Sequence, residues 1–138
     1  MTLLTADQLV QKLNNLNVST IPALEHAMTL AAMNVEGEAK KYCTPGQSPY
    51  YKAPYSDDNN PRRDPVHMRD TIYGRTQTEA NRVHGLVGTP KDYALFVHEG
   101  TSKMQARPFI MDSIKAKDTE TRTILSQAIT DALKRECV

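Results

Sequence analysis

Tryptophan is absent from this 138-residue chain and phenylalanine occurs only twice, so the large aromatic side chains that fill many interiors cannot supply its core. Small aliphatics, alanine, methionine and tyrosine must pack instead, which predicts a thin core. Cysteine is limited to Cys43 and Cys137, far apart and without C-x-x-C spacing. With no secretory signal in the sequence, they read as reduced thiols of a cytoplasmic product. No apolar run approaches the roughly 20 residues needed to span a bilayer, which predicts a soluble protein with no membrane partner. An excess of either charge is missing too: 17 Lys and Arg stand against 16 Asp and Glu. That balance excludes a surface tuned as a whole to nucleic acid, and leaves room only for a local patch. A chain of this length is expected to form one domain that buries roughly 70% of its unfolded surface.

What is present begins with helical periodicity. Leu9, Leu13 and Leu16 recur at helical spacing after Thr5, a good N-cap residue, and predict a short first helix. A stronger pattern over 19–42 places Ile21, Leu24, Met28, Ala31 or Ala32, Val35, Ala39 and Tyr42 on one stripe. Thr20 is available as its cap, Pro22 falls in its first turn, and Lys40 and Lys41 sit where the helix dipole favours cations. Residues 44–66 break the pattern, hold Pro45, Pro49, Pro54, Pro61 and Pro65, and have no hydrophobic period; they read as an extended arm. From Met68 the segments MRDTIYGRTQT and RVHGLVGT are rich in strand formers and are joined by the turn-like EAN, which predicts an antiparallel hairpin. The run 93–97 reads as a short helix, with Asp92 as N-cap and Gly100 just beyond its end. Pro108 then opens a last helix that carries Ile110, Ile114, Thr121, Leu125, Ala128 and Ala132 on one stripe, beside Ile124, Ile129 and Leu133.

The expected fold is therefore α+β: a small hairpin-based antiparallel sheet against a long N-terminal helix and a C-terminal helix, with a long Pro-rich loop. One domain over 1–138 divides into a helical part (1–43), the arm (44–66), the hairpin with its short element (67–107) and the last helix (108–138).

Chemical motifs are scarce. His98 and Glu99 lack the second histidine four residues on that a zincin helix requires, and His26, His67 and His84 fall on separate elements. There is no G-x-S-x-G elbow and no phosphate-cradling glycine pattern. The sequence thus predicts no enzyme, no metal and no cofactor. Arg62, Arg63, Arg69 and Arg75, with Lys52 and upstream tyrosines, form a candidate basic patch, although Asp57, Asp58, Asp64 and Asp70 nearly cancel it. A small nucleic-acid-binding module built on residues 62–75 is the alternative reading.

The ordered set of words is more specific than any one of them. A helix ending in VEGEAKKYCTP precedes MRDTIYGR, then GLVGTPKDYALFVHEGTSKMQARPFI, then a C-terminal helix. This order resembles the bacteriophage head-tail joining family, the small neck or tail-completion proteins of long-tailed phages and prophages. The likeness rests on Met68, Arg69, Thr71 and Ile72; on Val87 and Gly88; on Tyr93, Ala94, Val97, Gly100 and Thr101; and on Pro108 and Phe109, and it covers about two thirds of the chain. Where the family often places an acid after the valine, this chain has His98, with Glu99 next, and its arm is long for the family.

The resemblance implies a structural virion protein, a tail terminator or neck subunit that forms a ring between head connector and tail tube. Its partners would be copies of itself and the head-connector and tail-tube proteins, with DNA only as the passing genome. Its location would be the virion, at the head-tail junction or tail end, after synthesis in the host cytoplasm. Tyr93, Phe96 and Val97 are then expected as core anchors and Gly100 at positive φ. Candidate interface residues are Tyr50, Tyr51, Tyr55, Arg62 and Arg63 on the arm, and His98, Glu99, Thr101, Ser102, Lys103 and Met104 on an exposed loop.

Overall fold

Thr5 starts the first helix with a capping box: its hydroxyl accepts from the Gln8 N–H, and the Gln8 side chain accepts from the Thr5 N–H. Helix α1 then runs without interruption over Ala6–Tyr42, 37 residues, or about 55 Å at 1.5 Å per residue. A computed structural model of the chain describes residues 5–44, 47, 68–103 and 105–137, without the side chain of Cys137. The two helices expected from the sequence are one. Thr20 caps nothing; its hydroxyl, like that of Ser19, donates to the Leu16 carbonyl, at 2.5 Å and 3.3 Å respectively. Pro22 lies inside the helix, where it withdraws the N–H that would have bonded the Val18 carbonyl. Packing of α1 against α5 (Asp118–Cys137) immediately beyond this point holds the helical course.

Alanine sets the spacing of the rest. Ala27, Ala31, Ala32, Val35 and Ala39 are buried along one face of α1, and with so little side chain on that face other elements approach its backbone closely. Strands β1 (Tyr73–Glu79) and β2 (Arg82–Gly88) form a two-stranded antiparallel sheet in the register Tyr73↔Gly88 to Glu79↔Arg82. The hairpin is as expected, but MRDT is not its beginning: Met68–Thr71 is a single helical turn, α2, and Ile72 separates it from β1. Thr71 accordingly donates to the Met68 carbonyl and meets Thr89 at 2.7 Å, tying α2 to the far end of the hairpin.

One face of the sheet lies on α1. A Cβ on Gly74 would stand 2.6 Å from the Ala32 carbonyl oxygen, and one on Gly85 would stand 2.8 Å from the Met28 sulfur. The Gly74 N–H donates to Glu36 Oε2 at 2.8 Å. Lys40, 2.5 Å from the other carboxylate oxygen, and this N–H together hold the Glu36 carboxyl below its ordinary pKa.

After β2 come α3 (Ala94–Glu99), α4 (Phe109–Ala116) and α5. The single C-terminal helix of the sequence reading is two: Lys117 leaves helical geometry at φ −101°, although the Lys117 and Thr121 amides still find Ser113 and Lys117 carbonyls. This break allows α4 to bury Phe109 and Ser113 while α5 lays Ala132 and half-buried Ile124 and Ala128 toward the α1 seam. Pro108 occupies the N-cap rather than the first helical position. Among the described residues the buried apolar set is Ala27, Ala31, Ala32, Val35, Ala39, Ile72, Ala94, Phe109 and Ala132, thin as composition required. No helix of the described residues is long and apolar enough to cross a membrane.

Candidate functional site

The motif words converge on one corner. Ala39 from α1, Ile72, Ala94 and Phe109 form a buried cluster, and Tyr42, Cys43, Met68, Val87, Val97 and Ile110 pack around it. Residues scattered over five elements in sequence thus share one apolar contact set. Gly100 ends α3 at φ 80° and donates its N–H to the Phe96 carbonyl at 2.9 Å; only glycine takes that conformation without strain. The chain then turns through Thr101, Ser102 and Lys103, all exposed, and returns so that the Arg107 N–H donates to the Val97 carbonyl at 2.9 Å. Phe109 is 1% exposed and fastens the start of α4.

Several expected roles change. Tyr93, not Asp92, is the N-cap of α3, and it makes no side-chain capping bond. Tyr93 and Phe96 are not core anchors: they are 40% and 58% exposed, and Leu95 between them 64%. A six-residue helix presents only one narrow face to the body, and here that face is Ala94, Val97 and His98. His98 is correspondingly not an exposed loop residue. Its side chain is 19% exposed, lies edge-on to the Phe109 ring at 5.8 Å, and places Nδ1 3.1 Å from Glu99 Oε1. Glu99, Thr101, Ser102 and Lys103 do face outward. Met104 and the arm residues Tyr50, Tyr51, Tyr55, Arg62 and Arg63 lie outside the described residues.

Between α3 and α4, over the end of β2, is a hollow of ≈ 400 Å³ walled by Ala94, Leu95, His98, Phe109, Ile110 and Met111. Its rim carries exposed Leu95 and Met111, the latter 47% exposed. A second groove, ≈ 570 Å³, runs between α1 and α5, with His26, Asp131 and Arg135 among its walls. Among the described residues, no group of three or more His, Cys, Asp or Glu side chains is placed to hold a metal ion. The Cys43 thiol is half-buried beside the corner, and burial pushes its pKa up to about 11 against a smaller opposing effect of Arg69, which leaves it a poor nucleophile.

Of the candidate basic patch, Arg69 is paired with its neighbour Asp70 at 3.0 Å, and the Arg75 guanidinium lies 5.5 Å over the Tyr73 ring on the sheet face away from α1. Lys52, Arg62 and Arg63 lie outside the described residues.

The sequence reading passed over the other large exposed feature. Leu9, Val10, Leu13 and Val18 are 49%, 54%, 55% and 75% exposed on the first turns of α1. Their periodicity was visible; what it could not tell was that the partner helix α5 would stop short of them. Comparison with protein-family models, with curated proteins and with solved structures finds no match to this chain.

Proposed function

We propose that this chain is a non-enzymatic structural subunit of a tailed phage or prophage virion, which closes into a ring at the head-tail junction or tail end. The observation that carries the reading is a mismatch. The interior is lined mainly by alanine, while Leu9, Leu13, Leu95, Phe96 and Met111 remain outside at 47–64% exposure. Side chains of that size lose favourable burial of about 1.5–3 kcal/mol each when left in water, and contact between subunits recovers it. The resemblance supplies the kind of assembly. Its words also make physical sense as a unit, since Met68, Ile72, Val87, Ala94, Val97 and Phe109 hold one corner together.

The test is native mass by light scattering, first alone and then with the products of the genes on either side. A discrete multimer in either condition is the expected result. A strict monomer that ignores both neighbours removes the reading, and a salt-dependent DNA and RNA titration then tests the nucleic-acid module.

A further inference from the structure

Residues 19–22 carry two incompatible instructions. Ser19 and Thr20 lie inside α1 and donate their hydroxyls to the Leu16 carbonyl, a back-bond that loosens a helix and tends to bend it. Pro22 follows, also inside. Its ring has no N–H for the Val18 carbonyl and crowds that carbonyl, which makes proline the costliest residue of a helix interior. The same residues read well as a helix start. With Thr20 as N-cap, Pro22 falls in the first turn, where its N–H would be an orphan in any case, and the Thr20 hydroxyl is free to accept from the Ala23 N–H.

The turns before this point have little to hold them helical. From Ala6 to Val18 every residue is exposed except half-buried Leu16, and the α1–α5 groove begins only at Ser19. Asp7, Val10, Asn14, Asn15, Asn17 and Val18 are weak helix formers. Asp7 and Lys12, the charges of this stretch, are not at the i,i+3 or i,i+4 spacing that pairs them across a turn. A segment of this length is marginal as an isolated helix even with better residues. Its local brace is the Thr5–Gln8 capping box. Beyond Ala23 the balance reverses, because Ala27, Ala31, Ala32, Val35 and Ala39 are buried and the helix cannot melt there without opening the core.

We infer that α1 has two lengths. In the long form, the one held in this structure, the helix starts at the Thr5 cap. In the short form residues 6–19 melt as one unit and the helix starts at Thr20, with the body unchanged. Melting releases the backbone entropy of the segment and the strain of an interior proline, and water takes over the hydrogen bonds of turns that are already exposed. Leu9, Leu13 and Leu16 share one face only in the long form, so the exchange switches an apolar stripe on and off. The inference stands on residues 5–23 alone and does not depend on the ring reading.

Amide hydrogen exchange by NMR, on the full chain at a concentration where native mass spectrometry finds the monomer, tests it residue by residue. Amides of 10–19 should share one low protection factor, below about 100, with the buried turns at 27–39 protected at least about a hundredfold better. Pro22→Ala restores the missing bond and should raise the protection of the whole segment about tenfold or more. Thr20→Ala removes the cap of the short form and should raise it too, whereas Thr20→Ser keeps that cap and should leave it near wild type. Neither site belongs to the buried set, so the body stays folded in each variant.

Protection at 10–19 equal to that at 27–39 would show a helix of one length and overturn the inference. Protection that climbs residue by residue from Thr5, or that ignores Pro22→Ala and Thr20→Ala, is plain end-fraying and would overturn it as well.

Discussion

Gly74→Ala probes the approach of β1 to the backbone of α1. The added Cβ would lie 2.6 Å from the Ala32 carbonyl oxygen and 2.9 Å from its carbon. Both are backbone atoms of a buried helical turn, so no side chain can swing aside, and β1 must move off α1. Overpacking of this kind costs about 1–3 kcal/mol. Displacement of the strand also lengthens the Gly74 N–H bond to Glu36, worth about 1 kcal/mol for a partly solvated carboxylate. Gly74 is not at positive φ, so alanine adds no backbone strain, and its stiffer unfolded chain returns about 0.4–1 kcal/mol.

The net expectation is a loss of about 2 kcal/mol, or a fall in melting temperature of roughly 6–10 °C for a domain of this size. Urea denaturation with a double-mutant cycle measures it. Glu36→Gln should cost about 1 kcal/mol in the wild type and measurably less once Gly74→Ala has moved the strand, the pairing with Lys40 remaining. Gly37→Ala is the control: nothing lies within 4 Å of its Cβ, and in a helix interior it should stabilise by about 0.5–1 kcal/mol. A Gly74→Ala protein within 0.5 kcal/mol of wild type, or strict additivity with Glu36→Gln, would refute the argument that glycine is there to let the strand reach the helix.

Three further outcomes are expected. The Glu36 carboxyl is held below its ordinary pKa of 4.5 in the folded state, chiefly by Lys40 and then by the Gly74 N–H, so its contribution is present above that pH and lost as pH falls through the folded value. The stability difference between wild type and Glu36→Gln should therefore be open at pH 6 and narrow progressively as pH falls below 4.5, and a gap unchanged on acidification would contradict the pairing. With its pKa at about 11 against an ordinary 9.0, Cys43 should carry about a hundredfold less thiolate at pH 8 than an ordinary thiol. Peptide mapping after iodoacetamide should show it labelling far more slowly in native protein than in urea, and equal rates would place it outside the corner. Phe109→Ala should cost about 3–5 kcal/mol because the ring is 1% exposed in the central cluster; a melting temperature within a few degrees of wild type would show that the cluster is not what holds α4.

The parts of this fold legible in the sequence are those governed by local period and local backbone geometry. The alanine-rich stripe of α1, the hairpin, Gly100 at the end of α3 and the Pro108–Phe109 entry to α4 all belong to that class. Where the reading missed, a distant contact outweighed a local rule. Pro22 looks like a helix start, yet α1 runs through it with α5 packed alongside. Lys117 carries no glycine or proline signal, and α4 and α5 part there because Phe109 and Ala132 face different partners. Tyr93 and Phe96 look like anchors in the sequence but are exposed, since apolar identity says nothing about which way a six-residue helix turns. The bond between Glu36 and Gly74 spans 38 residues. Its only foreshadowing was a glycine inside a strand pattern, which often marks a close backbone approach.

Helix α1 is also a lever. Its C-terminal half is clamped by the strands, α4 and α5, and its first turns stand free of them. A bend of only about 5° at Pro22 swings Leu13, about 14 Å away, through about 1 Å. Pro22, with its missing hydrogen bond, lies between clamp and tip as the compliant point. The exposed first turns of α1 can therefore be re-aimed without repacking the core.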